Sequence, residues 1–275
     1  MKQLVITKDF KEEEVRLNNA LNIIKIPSNP LGKYAVIGCR GWVEQGRYIE
    51  NLHRHLDPVG DVIASKGYYW GASDYGSGGY PIKKAVKCIK SLIGYMKEDY
   101  NIEKFVILGT SMGGHIALIY AIEHPEDVCG VVDIYGVTDV KEKVKYVLKM
   151  LILLPLALLI FKELKMLRSA FHFLSDVKRE FGGNPAVLKF TEEYDKYSPL
   201  NRISELKAPL LVIHGDKDYV VPLKFSEKLV EKLKNSGKES LLYKFHVVEG
   251  TGHDEETVIR SMDVIFSFLD YCFKA

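Results

Sequence analysis

Cysteine is scarce in this 275-residue chain: there are four, none in a C-x-x-C pair and none at zinc-ligand spacing. Cys39, Cys88, Cys129 and Cys272 are therefore expected as buried thiols in a reducing compartment, with no metal framework to read. An excess of charge of one sign is also missing. Lysine and arginine total 38 against 36 acidic residues, a net charge of +2, which gives no electrostatic reason to bind nucleic acid. The chain contains no Gly/Ser linker, no low-complexity tract and no internal repeat, so nothing marks a second independent domain. The first residues, MKQLVITKDFKEEE, turn acidic before an apolar run can develop. No secretory signal is expected, and the cytoplasm is the expected location. Long hydrophobic runs are limited to one. Met150 to Phe161 is twelve residues without a charge and contains Pro155, whereas a membrane-spanning helix needs about 20 apolar residues. That run is expected to be broken in its middle by the proline and to form a buried or lid helix, with contact to a membrane surface or lipid as the lesser reading.

Hydrophobic residues make up 47% of the chain, enough for a large core and too many for disorder. Short apolar runs at Leu21–Ile26, Tyr34–Cys39, Asp61–Ala64, Phe105–Leu108, Val128–Ile134, Leu210–His214 and Leu242–Val247 read as strands. Several are continuous rather than alternating, as in a parallel sheet buried on both faces. Helical patterns at Arg47–Leu56, Ile82–Tyr100, Met112–His124, Leu223–Asn235 and Glu255–Phe273 lie between them. The alternation predicts a doubly wound, mostly parallel α/β domain. It lapses over 137–198, where helical stretches occur without a strand, which predicts a helical cap inserted between two sheet strands.

The strongest local signal is Gly109-Thr110-Ser111-Met112-Gly113, a G-x-S-x-G between the buried-strand run Phe105–Leu108 and a helical run with small residues at Gly113, Ala117 and Ala121. A strand ending in a tight turn would present Ser111 at the carboxyl edge of the sheet, and the helix beginning there would favour a developing anion. The plainer alternative is a serine that caps the helix. A serine hydroxyl needs a base. His53 and His55 read as surface residues without a metal motif, His115 and His124 lie on the helix after Ser111, His172 lies in the cap, and His214 and His246 fall in or beside strands. His253 follows Gly250-Thr251-Gly252 after the last strand, in a loop that can return over the carboxyl edge, and is the expected base. For the acid, the loop after Leu210–His214 offers Asp216 and Asp218. Asp218 is favoured because Val220-Val221-Pro222 then leads into a helix; Asp216 could brace the turn, and Asp133 is a weaker alternative. The order Ser111, Asp218, His253 is that of an α/β-hydrolase triad. Two oxyanion donors are also needed: the Met112 N–H follows from the motif, and the Trp42 N–H is the favoured second, with the Gln45 side chain as a supplement.

These residues resemble the α/β-hydrolase superfamily, and more narrowly the catalytic domain of prolyl oligopeptidase (S9-type) serine hydrolases and related esterases. The resemblance rests on Arg40-Gly41 with Glu44-Gln45-Gly46, on Gly109-Thr110-Ser111-Met112-Gly113-Gly114-His115, on Tyr197-Ser198-Pro199-Leu200, on His214-Gly215-Asp216-Lys217-Asp218-Tyr219-Val220-Val221-Pro222 and on Gly252-His253. It implies Ser111 as nucleophile, Asp218 as acid and His253 as base; the acyl-enzyme mechanism expected of them calls for no metal or organic cofactor. The peptidases of that group carry a β-propeller, for which the stretch before Tyr34 leaves no room. The first expectation is therefore an esterase acting through an acyl-enzyme. A small peptidase or acyl-peptide hydrolase comes second, and a catalytically silent binding module third. The expected partner is a small ester or short peptide; a homo-oligomer stays open.

Overall fold

A computed structural model describes residues 9–43, 52–54, 56–161 and 164–274. Among the described residues eight strands form one sheet in the order β1-β2-β4-β3-β5-β6-β7-β8. They are β1 (Phe10–Leu17), β2 (Ala20–Pro27), β3 (Tyr34–Cys39), β4 (Tyr69–Ser73), β5 (Lys104–Thr110), β6 (Gly130–Ile134), β7 (Leu210–Gly215) and β8 (Leu242–Val248). From β4 to β8 every neighbouring pair is parallel, while β1 and β2 add an antiparallel hairpin at one edge. Alternate residues of the central strands feed two cores. Ile37, Phe105, Ile107 and Val212 face helices α2 (Ile82–Asp99), α3 (Met112–Glu123) and α8 (Lys224–Asn235). Val36, Val106, Leu108 and Ile213 face α1 (Asp57–Ser65) and α10 (Met262–Lys274). This two-sided burial is why these strands read as unbroken apolar runs.

Several local expectations are corrected. Asp61–Ala64 is not a strand but part of α1, which Pro58 opens at a first-turn position where its missing N–H costs nothing. The strand falls instead at Tyr69–Ser73, where glycine and alanine conceal it because they make room rather than fill it. A side chain at Gly38 or Gly60 would collide with the wholly buried Trp70. The acidic run Phe10–Leu17 is also a strand. It opens on buried Phe10, alternates exposed and partly exposed residues from Glu14 to Leu17, turns into β2 through Asn18 and Asn19 at φ 49° and 62°, and sets Glu12 and Glu14 against Arg54. Its exposed face is charged, as suits a sheet edge. Of the helix expected over Arg47–Leu56, the described part is one 3₁₀ turn at Leu52–Arg54; His53 there is buried against Glu14 rather than on the surface. The helix expected over Glu255–Phe273 is two, α9 (Glu255–Ile259) and α10, with a break at Arg260–Ser261.

Between β6 and β7 the chain runs through α4 (Val140–Phe161), α5 (Leu164–Phe181), α6 (Glu193–Lys196) and α7 (Pro199–Arg202) without entering the sheet. Pro155 does not break α4: an interior proline forfeits one backbone hydrogen bond, and the helix continues through it. Among the described residues no helix is long and apolar enough to cross a membrane. All four cysteines are free thiols, and Cys39, Cys88 and Cys272 are buried.

Candidate active site

The carboxyl ends of β3, β5, β6, β7 and β8 lie side by side, so their loops meet over one edge of the sheet. Ser111 stands between β5 and α3 with φ 57° and ψ −118°, a backbone state unfavourable for any residue with a side chain. The turn is held from all sides. Ser111 N–H donates to Ile134 O at 3.0 Å, and Ser111 O accepts from Gly114, His115 and Val137 N–H. A side chain at Gly109 would strike Gly113 O, and one at Gly113 would strike Cys39 O. The motif's glycines are thus required by the close passage of α3 over β3 and β5. Ser111 makes no side-chain capping bond to α3, so the helix-cap alternative does not describe it.

Asp218 and His253 are brought together from β7 and β8. His253 Nδ1 lies 2.7 Å from Asp218 Oδ2, while Asp218 Oδ1 accepts from Val220 and Val221 N–H, each at 2.8 Å. Burial opposes the aspartate charge. Hydrogen bonds from His214 and His253, with the Val221 N–H, nevertheless hold the carboxyl well below the usual range, so it is ionised at every physiological pH. Asp216 faces elsewhere and accepts from Gly250 N–H at 2.6 Å, bracing the loop that carries His253. Thr257 Oγ1 donates in that loop to Gly252 O, and the Asp254 side chain caps α9. The Tyr135 ring, placed after β6 by its N–H bond to Ile213 O, packs on His253 with centroids 4.4 Å apart. Tyr135 thus stands beside both the Ser111 turn, through Ile134, and the imidazole. No hydrogen bond joins Ser111 Oγ to His253 among the described residues; such contacts tighten in substrate complexes.

His214 is a residue that sequence reasoning passed over as a strand histidine. Its Nε2 lies 2.8 Å from Val221 O and 3.3 Å from Asp218 Oδ2, and its Nδ1 lies 2.7 Å from Ser226 Oγ. It thereby fastens the Asp218 loop to α8. The H-G-D-x-D run was the available signal, since it begins at this histidine.

Asp133 is wholly buried, and neither carboxylate oxygen has a hydrogen-bond partner among the described residues. It is wedged where side chains at Gly114 or Gly136 would collide with it, and the carboxylate that His253 Nδ1 meets is Asp218. Burial pushes its carboxyl up to about 7, against the opposing influence of His214 and the Gly136 N–H. The folded protein therefore keeps a proton there that the unfolded chain releases near pH 4. Between those values stability falls as pH rises, because the folded state binds more protons. Asp133→Asn escapes this loss. Its melting temperature relative to the parent should climb from pH 4.5 to pH 8, by an amount corresponding to a few kcal/mol, on the order of one to three pH units of linkage. A difference independent of pH would refute the assignment.

The loop after β3 is pinned by buried Arg40, which donates to Gly41 O, Asp74 O and Ser77 O and stacks on Tyr75. Gly41 passes close to Ser111. Trp42 follows, and its indole N–H donates to Asp176 Oδ2 of α5 at 2.9 Å. The Met112 and Trp42 backbone N–H groups make no backbone hydrogen bond among the described residues. Gln45 lies outside the described residues. His115 is neutral, its pKa lowered to about 4 by burial, and bonds Tyr80 OH and Tyr197 O; it ties α3 to the Tyr197-Ser198-Pro199 turn rather than serving as a base. Beside Ser111 opens a cavity of about 210 Å³ lined by Trp42, Met112, Lys143, Leu151 and Phe173.

The sheet and its elbow define an α/β-hydrolase of the serine hydrolase type. The BD-FAE family profile matches residues 36–233, and the chain belongs to that family. A Phospholipase/Carboxylesterase profile also matches residues 196–273. The chain is 31% identical over 136 residues to the uncharacterized peptidase YtmA of Bacillus subtilis, covering 50% of this chain and 43% of that protein. Among solved structures it is similar to a Mycobacterium tuberculosis puromycin-hydrolyzing peptidase, with TM-score 0.72 and 19% identity over 99% of this chain and 41% of that one. It is also similar to the Pyrococcus furiosus esterase Pf2001, with TM-score 0.63 and 16% identity over 98% and 94%. The chain spans less than half the length of the two peptidases.

Proposed function

We propose that the protein hydrolyses carboxylic esters through an acyl-enzyme on Ser111. The observation that carries this is a strained serine at the strand–helix elbow with an ionised, hydrogen-bonded Asp218–His253 pair delivered to the same sheet edge. His253 takes the Ser111 proton as Oγ attacks the carbonyl carbon, Asp218 holds the imidazole by Nδ1 and favours its protonated form, and the Met112 and Trp42 N–H groups receive the oxyanion. His253 then gives the proton to the departing alkoxide. Water activated by the same imidazole releases the acid. No step requires a metal or an organic cofactor. In this reading residues 137–198 form the cap that walls the acyl pocket, and the apolar lining supports an ester with a hydrophobic arm. A short-peptide or acyl-peptide hydrolase is the second reading, favoured by the likeness to peptidases in sequence and fold.

A fluorophosphonate probe should label the folded protein at one serine, Ser111, as read by peptide mass spectrometry. Absence of labelling in folded protein would sink the hydrolase mechanism and favour a binding module. Comparing acyl esters with aminoacyl and peptide amides then decides between the two readings.

A further inference from the structure

One lysine interrupts the apolar wall of the pocket. Lys143, in the first turn of α4, is 8% exposed and lines the cavity with Ser111, Trp42 and Phe173. Its ammonium donates to Val220 O and lies 5.2 Å from the Tyr146 ring centroid and 5.9 Å from that of Phe173. It forms no ion pair among the described residues. Asp218, the acid that acts on it electrostatically, is already committed to His214 and His253.

An ammonium has three donors, and among the described residues one carbonyl beside two ring faces leaves two without a hydrogen-bond acceptor. Removing such a charge from water is costly unless acceptors replace the water. Burial lowers the Lys143 pKa to about 8, so the cation still predominates at neutral pH. A wall that had only to be filled would carry an apolar side chain, as it does one and two turns further on at Val147 and Leu151. We propose that Lys143 anchors a carboxylate on the substrate, so that the pocket selects esters in which one arm is an apolar chain ending in an acid. The carboxylate accepts from the two free N–H groups, the chain lies along Val147, Leu151 and Phe173, and the carbonyl carbon reaches Ser111. This rests on the ester-hydrolase reading. A lysine that only braced the Val220 carbonyl would affect all substrates alike.

The test uses two matched pairs: the 4-nitrophenyl monoester of suberic acid against its methyl ester, and the acetate of 4-(4-hydroxyphenyl)butanoic acid against its methyl ester. In at least one pair the protein should prefer the acid in kcat/KM. Lys143→Met should cut that ratio roughly 10- to 100-fold, and Lys143→Arg should restore much of it. An acid-to-ester ratio unchanged by Lys143→Met in both pairs overturns the proposal, whatever happens to the absolute rates. Calorimetry on the Ser111→Ala protein with monomethyl and dimethyl suberate reads the same anchor without turnover. Tighter binding of the acid, lost with Lys143→Met, supports it even if no ester is hydrolysed; equal binding refutes it and leaves the hydrolase reading untouched.

Discussion

Ser111→Ala is expected to reduce ester hydrolysis by about 10⁶-fold while the protein stays folded. The loss is large because attack by the hydroxyl begins the proposed sequence, and without Oγ the base has no proton to take. The fold should survive because Oγ neither caps α3 nor makes a hydrogen bond among the described residues. The backbone at φ 57° sharpens the test. Ser111→Gly should be equally inactive yet more stable than the parent, since glycine accepts this conformation without the cost of about 1–3 kcal/mol that a side chain incurs. Thermal melts beside an ester assay read both effects. Residual activity of even one per cent in Ser111→Ala would remove Ser111 from the mechanism.

Asp218→Asn should lower kcat by about 10⁴-fold, because an amide can donate to His253 Nδ1 and stabilise the wrong tautomer. Asn still offers Oδ1 to the Val220 and Val221 N–H groups, so the loop should hold its shape. Asp216→Asn is the matched control. It keeps an acceptor for Gly250 N–H, and its activity should stay within a few-fold of the parent. Measuring kcat/KM for both variants on one ester decides between the two aspartates; the reverse ranking would transfer the role of acid to Asp216.

What could be read in the sequence follows from how each residue does its work. The central strands were legible because two-sided burial demands unbroken apolar runs, as in Phe105–Leu108. The elbow was legible because Gly109 and Gly113 have no steric substitute. Strand β4 escaped because Gly71 and Ala72 interrupt its apolar run, and the room that Gly38 and Gly60 leave for Trp70 comes from elements distant along the chain. Strand β1 escaped because an edge strand can keep charged residues, and the partners of Glu12 and Glu14, Lys25 and Arg54, arrive from other elements. Asp216 and Asp218 share a loop and a chemistry; which of them meets His253 depends on loop shape, which spacing does not encode. The part played by His214 depends on Val221 and Ser226 folding back to it. The Trp42 indole meets Asp176, 134 residues further along the chain, so no local pattern could announce it.

That last contact joins the two halves of the substrate's surroundings. The residue whose backbone is proposed to receive the oxyanion also holds, by its side chain, the helix that walls the pocket. On that proposal, a shift of α5 to admit a larger substrate would pull on Trp42 through this hydrogen bond and through the edge contact of its ring with Phe173, coupling recognition of the guest to readiness for reaction.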